Sequence, residues 1–221
     1  MSFEIRNIKK SYGKKTPLSQ VSFTVGEGQC VGILGKNGSG KSTLLSILSG
    51  VQKCDGGGFF CCGEDLLRTP KKLAEQVGYV PQGTPLLEEL SAKDNLRLWY
   101  DKKTVDREMT GVLKMLGVDE FINLQVKKMS GGMKKRLSIA CAMAKNPRLL
   151  LLDEPCAALD LVCKQSIYRY LADYKRGGGS VIITTHDESD LALCDSLYIL
   201  KAGTLGPCSY DGHMDRLVRE L

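Results

Sequence analysis

One octapeptide, Gly-Lys-Asn-Gly-Ser-Gly-Lys-Ser from Gly35 to Ser42, restricts this chain more than any other stretch. Its three glycines give a loop whose backbone can enter left-handed conformations and approach a ligand closely. The apolar run Cys30 to Leu34 before it reads as a buried strand. After it, Leu44, Leu45, Ile47 and Leu48 recur at helical spacing and stop at Gly50. Strand, glycine loop and helix are the setting in which G-x-x-x-x-G-K-[ST] cradles phosphate. Its amides point inward, Lys41 is placed to reach β- and γ-phosphates, and the Ser42 hydroxyl is placed to ligate Mg²⁺.

The rest of the chain agrees with an α/β architecture. Phe3, Ile5 and Ile8, then Val21, Phe23 and Val25, alternate as half-buried strands do, and Phe59 to Cys62 and Val77 to Val80 read as short strands. Ser91, with Asp94 three residues on, predicts a helix N-terminus and a helical run through Tyr100, and a second run is expected from Asp106 to Leu116. The segment from about Gly83 to Lys128 therefore reads as a helical insertion. Strand signals return at Leu149 to Asp153 and Ser180 to Thr185, with a helix from Leu161 to Lys175 between them. Strands alternating with helices predict parallel pairing and right-handed crossovers.

The 221 residues, 43% hydrophobic, suffice for one such domain with a subdomain. No apolar run approaches the roughly 20 residues needed to span a bilayer, and Met-Ser-Phe-Glu does not open a signal peptide, so a cytoplasmic chain is expected. Nine cysteines without a C-x-x-C pair are then expected as reduced, packed thiols. The two histidines, His186 and His213, lie too far apart in sequence to suggest a zinc site. The net charge of +6 comes from scattered basic pairs, and aromatics make up only 6%. Direct nucleic-acid binding is not expected from that pattern, whereas weak attraction to an anionic membrane surface is.

Further positions carry chemistry. The strand Leu-Leu-Leu-Leu-Asp-Glu-Pro delivers Asp153 and Glu154 at its carboxyl end, where ligands bind in open α/β sheets. Asp153 there suits a Mg²⁺ shell and Glu154 suits a water to be oriented or deprotonated, although a strand-end acid pair also occurs simply solvated. His186 ends the apolar run Ser-Val-Ile-Ile-Thr-Thr-His at the same sheet edge, as a hydrogen-bond donor to a γ-phosphate or as a loop residue. Gln82, after Gly-Tyr-Val-Pro, can touch both ion and water; alone it reads as a surface glutamine. Finally, Met-Ser-Gly-Gly-Met at 129–133 opens an amphipathic run (Arg136, Leu137, Ile139, Ala140, Met143), and a glycine pair opening a helix reads as a second anion site.

Taken in order, these motifs resemble the nucleotide-binding cassette of ABC transporters over nearly the whole chain. Tyr12 stands before the phosphate loop, followed by the glutamine loop at Gln82, a helical insertion, a Ser-Gly-Gly signature, Leu-Leu-Leu-Leu-Asp-Glu-Pro, Ala-Leu-Asp160 and the switch His186. The resemblance implies a P-loop NTPase core with a mixed or parallel sheet flanked by helices, an N-terminal antiparallel β subdomain, and an inserted α-helical subdomain. The core would be 1–82 and 147–221, and the helical subdomain with its signature 83–146. It implies ATP against Tyr12, Gly35, Asn37, Gly38, Ser39, Gly40, Lys41, Ser42 and Thr43, and Mg²⁺ on Ser42, Gln82 and Asp153. Catalysis would rest on Glu154, His186, Gln82 and Lys41.

In that family two cassettes pair head to tail, so Ser130, Gly131, Gly132 and Asp160 would complete the partner's ATP site. A homodimer or a heterodimer with a sister cassette satisfies this, because two separate anion sites on one chain suit a two-fold pair. A separate integral membrane permease is implied as the driven partner, with the chain peripheral on the inner face of the cell membrane and its helical insertion as docking face. The phrase Leu-Ser-Ala-Lys-Asp-Asn-Leu-Arg-Leu-Trp-Tyr, the short insertion and the lack of a C-terminal regulatory domain look like bacterial exporter cassettes for drugs, peptides or lipids. A soluble ATPase of the same superfamily, in iron-sulfur assembly or on ribosomes or DNA, is the alternative. Departures from the usual Leu-Ser-Gly-Gly-Gln are Met129, which conserves volume, and Met133, which removes a polar contact and predicts slower turnover. Cys156 replaces the usual Thr or Ser and is expected to pack neutrally.

Overall fold

A computed structural model describes residues 1–212 and Leu217 of the chain; His213 lies outside them. Strands β1 (Ser2–Tyr12), β2 (Lys15–Gly26), β3 (Cys30–Leu34), β4 (Gly56–Cys61), β5 (Glu64–Asp65), β6 (Val77–Val80), β7 (Leu149–Asp153), β8 (Ser180–Thr184), β9 (Ser196–Lys201) and β10 (Thr204–Cys208) form one sheet. Their order is β5-β4-β1-β2-β10-β9-β3-β8-β7-β6. At one end β5, β4, β1 and β2 pair antiparallel; at the other β9, β3, β8, β7 and β6 run parallel. The two halves meet where β10 pairs with β2 through Thr204 and Gln20.

The spacing Phe3, Ile5, Ile8 breaks strict alternation, and the backbone shows why. Asn7 sits at φ 52°, the β1–β2 register shifts between Ile5 and Ile8, and the extra residue rotates Ile8 back onto the buried face. Strands β3, β7 and β8 are buried along their whole length. Their alternate side chains feed opposite cores: Leu149, Leu151 and Ile182 join the N-terminal strands, whereas Leu150, Leu152, Val181 and Ile183 join the helical side. Parallel strands covered on both faces need such continuous apolar runs, each buried leucine contributing about 1.5 to 3 kcal/mol.

Helix α1 (Lys41–Leu48) follows the glycine loop, and α2 (Pro70–Gln76) leads into β6. The insertion holds α3 (Ala92–Leu96), α4 (Lys102–Glu108) and α5 (Val112–Met115), before α6 (Gly131–Ala142), α7 (Leu161–Arg176) and α8 (Glu188–Leu191). Two helical expectations need correction. Ser91 does cap a helix, accepting from the Asp94 amide at 3.1 Å, but α3 closes at Leu96 and the chain turns before Tyr100, whose hydroxyl donates to the Ala140 carbonyl at 2.7 Å. The run expected from Asp106 to Leu116 begins earlier, at the Asp101 cap, and is broken at Gly111, which adopts φ −103° and ψ −122°. Glycine costs about 1 kcal/mol in a helix interior, so this break is where the helix gives way. No described helix is long and apolar enough to cross a membrane.

Candidate nucleotide site

The glycine loop leaves β3 in the middle of the parallel half of the sheet and hands over to α1. Gly40 takes φ +109°, and a Cβ there would stand 2.8 Å from the Pro17 carbonyl oxygen, so only glycine closes the loop against β2. Lys41 is buried, and its Nζ donates to the carbonyls of Gly35 at 2.6 Å and Lys36 at 3.3 Å. Burial pulls its ammonium below its ordinary value, and the Glu154 and Asp153 carboxylates act in the other direction. Ser39 Oγ is buried without a hydrogen-bond partner.

A cleft of about 1020 Å³ opens above this loop, lined by Tyr12, Asn37 to Thr43, Gln82, Glu154 and His186. Tyr12, residues 37–43, Gln82, Glu154 and His186 thus come together from five separate stretches of sequence. Tyr12, at the end of β1, is 49% exposed and lines the cleft, and its hydroxyl accepts from Gln52 Nε2. Lys15, Thr16, Ala202 and Gly203 also line the cleft. Sequence reasoning missed these four: Lys15 and Thr16 follow Tyr12 in the same hairpin, which was a signal, whereas Ala202 and Gly203 arrive only through the β9–β10 turn.

The acidic pair is built differently at its two positions. Asp153 ends β7 buried, and its Oδ1 accepts from Thr184 Oγ1 at 2.5 Å. Glu154 follows at φ +47°, a left-handed conformation that costs a non-glycine residue on the order of 1 kcal/mol or more. Two bonds hold it there, from its amide to the Thr184 carbonyl at 3.0 Å and to Thr184 Oγ1 at 3.2 Å. The turn aims the carboxylate across the cleft mouth. Gln82 Nε2 donates to Glu154 Oε2 at 2.9 Å, and His186 Nδ1 stands 3.3 Å from Oε1.

Ser130, Gly131, Gly132 and Asp160 do not line this cleft. They gather instead at the paired N-termini of α6 and α7. Ser130 Oγ accepts from the Met133 amide at 3.2 Å, and Asp160 Oδ1 from the Cys163 amide at 2.9 Å, which holds the Asp160 carboxyl below its usual range. A Cβ on Gly132 would stand 2.2 Å from Cys163 Sγ, so glycine is what lets the two helices meet. Met129 is buried and Met133 packs against the helical core, while Cys156 is fully buried with its thiol pushed up, chiefly by burial. Lys135, another residue that sequence reasoning passed over, is buried on α6. Its helical spacing from Gly132 and Ile139 placed it on the packed face, a signal available in the sequence.

Residues 18–157, spanning the phosphate loop, the glutamine loop, the signature and the acidic pair, match the ABC transporter family. The chain belongs to that family. Over 210 residues it is 33% identical to the Nod factor export ATP-binding protein I of Sinorhizobium fredii, covering 92% of this chain but 61% of that protein. It is 33% identical over 208 residues to the linearmycin resistance ATP-binding protein LnrL of Bacillus subtilis, with 91% and 67% covered. A putative ABC transporter ATP-binding protein of Pyrococcus furiosus is 35% identical over 206 residues, with 90% and 77% covered. Among solved structures, an ATP-binding subunit of an ABC transporter superposes with TM-score 0.87 at 26% identity, covering 100% of this cassette and 99% of that chain. A dimeric cassette in a post-hydrolysis state bound to ADP and Pi gives 0.84 at 27% identity, covering 96% and 100%. The cassette shares with these an α/β fold of the P-loop NTPase kind.

Proposed function

We propose that the chain hydrolyses ATP in a head-to-tail dimer and thereby drives a separate membrane permease that exports a drug, peptide or lipid. The observation that carries the hydrolytic reading is the Glu154 carboxylate held between Gln82 and His186 at the mouth of the cleft that the phosphate loop floors. Gly35, Asn37, Gly38, Ser39 and Gly40 cradle the β- and γ-phosphates with their amides, aided by Lys41, Ser42 and Thr43, and Tyr12 stacks on the adenine. The orphaned Ser39 hydroxyl suits a phosphate oxygen. Ser42, Gln82 and Asp153 offer one carboxylate and neutral oxygens, a set that fits Mg²⁺ completed by phosphates. Held by these residues, Mg²⁺ would supply neutralisation of phosphate charge during the reaction.

The chemistry then falls to the side chains. Glu154 takes a proton from a water as its oxygen bonds to the γ-phosphorus. The bond from that phosphorus to the β,γ-bridging oxygen breaks, and ADP carries away the electron pair. His186 steadies the γ-phosphate, and Gln82 fixes the carboxylate and the water. Ser130, Gly131 and Gly132, at the positive end of α6, and Asp160 complete the site of the partner cassette. A helix N-terminus brings about half an elementary charge to that task. Residues 1–82 and 147–221 form the catalytic core, and 83–146 the helical unit that follows the nucleotide.

Leu87, Leu98, Trp99 and Met115 on the insertion are exposed, Trp99 to 63%, and support a docking face for a permease on the inner side of the membrane. The relatives named for Nod factor export and linearmycin resistance support the outward direction. Tagged chain recovered from membranes solubilised in mild detergent should bring down a polytopic partner without ATPase motifs, together with Mg²⁺-dependent ATP hydrolysis. Recovery only with ribosomes, DNA or a cysteine-rich scaffold overturns the transporter reading.

A further inference from the structure

The Lys135 side chain leaves α6 less than two helical turns beyond Ser130 and disappears into the protein, 5% exposed. Its ammonium donates to two carbonyls of the loop after β6, Pro81 at 3.1 Å and Gln82 at 3.1 Å. The Gln82 side chain in turn donates to Glu154 at 2.9 Å. A continuous path therefore joins the N-terminus of α6 to the carboxylate over the phosphate loop: cap, rigid helix, ammonium, loop carbonyl, amide, carboxylate.

We propose that Lys135 is a positioning residue that couples the Ser130–Gly132 end of its helix to the Gln82–Glu154 pair of the same subunit. Seating of the signature on a partner's nucleotide is thereby transmitted to the hydrolytic geometry at the subunit's own site. The proposal rests on the composite-dimer reading given above. Its physical basis is the cost of this cation. A buried ammonium loses several kcal/mol of hydration, and an apolar side chain of similar volume would be cheaper on a helix that also buries Leu137, Ile139 and Ala140. Burial pulls the Lys135 ammonium below its ordinary range, and Asp153, Cys156 and Glu154 act against this. Two backbone carbonyls are a poor return on that cost if the residue only fills space. They are a useful one if the loop carrying Gln82 has to follow the helix, because a helix five residues long spans about 7.5 Å without bending.

The test uses the assembly recovered from membranes as above, with Lys135→Met, Lys135→Arg and Gln82→Ala. Lys135→Met should leave the melting temperature level or raised and the affinity for a fluorescent ATP analogue within about threefold, while kcat falls at least about tenfold with KM little moved. Lys135→Arg should restore most of kcat. Lys135→Met added to Gln82→Ala should cost little more than Gln82→Ala alone, since both cut one path. A normal kcat for Lys135→Met overturns the proposal, as does a parallel loss of melting temperature, ATP affinity and kcat that Lys135→Arg does not repair. Full additivity with Gln82→Ala also overturns it. Absence of hydrolysis by the unaltered assembly overturns the hydrolytic reading beneath it, an outcome separable from the others because ATP affinity is read for every variant.

Discussion

Gln82 Nε2 and Glu154 Oε2 stand 2.9 Å apart, although 72 positions separate the two residues in the chain. One comes from the loop after β6, the other from the end of β7, and the parallel pairing of Val80 with Leu152 brings them level. The carboxylate is therefore placed by sheet register, and its left-handed backbone turns it outward.

Glu154→Gln keeps the shape of that side chain and removes its capacity to take a proton. ATP affinity should remain within a few-fold of the unaltered chain, and phosphate release in a single turnover should slow by about 10² to 10⁴-fold. Near-normal turnover removes Glu154 from the base role.

Gly132→Ala forces a methyl group to within 2.2 Å of Cys163 Sγ and 2.9 Å of its Cβ. The expected loss is about 1 to 3 kcal/mol of unfolding free energy. Cys163→Ala in the same chain should recover part of it, by relieving the nearer contact only. Equal stability of Gly132→Ala and the unaltered chain in urea denies that α6 and α7 meet at this point.

Lys164 of α7 pairs with Asp187, the residue after His186. The hydrogen bond to Asp187 raises Lys164 above its ordinary value. For Asp187, burial pushes upward, but the bonds from Lys164 and from the Ser189 amide outweigh it, and the carboxyl sits below its usual range. A depressed carboxyl contributes stability above its unfolded value of about 3.9 and loses it as pH falls through the folded one; a raised ammonium contributes below about 10.4 and loses it as pH rises further. Lys164→Met should therefore cost about 1 kcal/mol near neutral pH, a difference that shrinks as pH falls toward about 3. A difference independent of pH assigns the effect to packing.

Neighbouring cysteines should differ in reactivity. Cys61 faces the core at the end of β4, whereas Cys62 sits at φ 51° in the turn and is exposed. Burial first, then Cys62, pushes the Cys61 thiol up to about 11, and burial pushes Cys141 up to about 12. Mapped thiol labelling of the folded chain should modify Cys62 at least about 100-fold faster than Cys30, Cys141 or Cys156, whose exposure awaits unfolding. Uniform labelling overturns this burial pattern.

What could be read from the sequence depended on whether the responsible force was local. Strands β3, β6 and β7 and helix α7 were legible because an apolar run or a helical period is contained within each. The α3 and α4 boundaries were less so, since their ends are decided by tertiary partners: the Tyr100 hydroxyl finds Ala140, and Asn95 holds the Leu87 amide and carbonyl at 2.8 and 3.1 Å. Among site residues, Lys41, Asp153 and Glu154 announced themselves by spacing. Tyr12 needed a family resemblance to be singled out, and Gln82 and His186 needed it to be chosen over a surface glutamine and a loop histidine, because one such residue at a strand end carries little information without the sheet that aligns them. Lys135 went unnoticed since a lysine in a basic run is read as solvated, which masked its helical spacing from the buried Gly132 and Ile139.

Strand β3, which carries the phosphate loop, is flanked by β8 and β9. Both neighbours are made late, the second ending at Lys201. On a ribosome adding about 5 to 20 residues per second, the loop therefore waits roughly 10 to 30 seconds after its own synthesis before its bracing strands exist. Until β8 and β9 are made, the sheet positions on either side of β3 are empty, so the glycine loop is complete in sequence well before the strands that shape it exist.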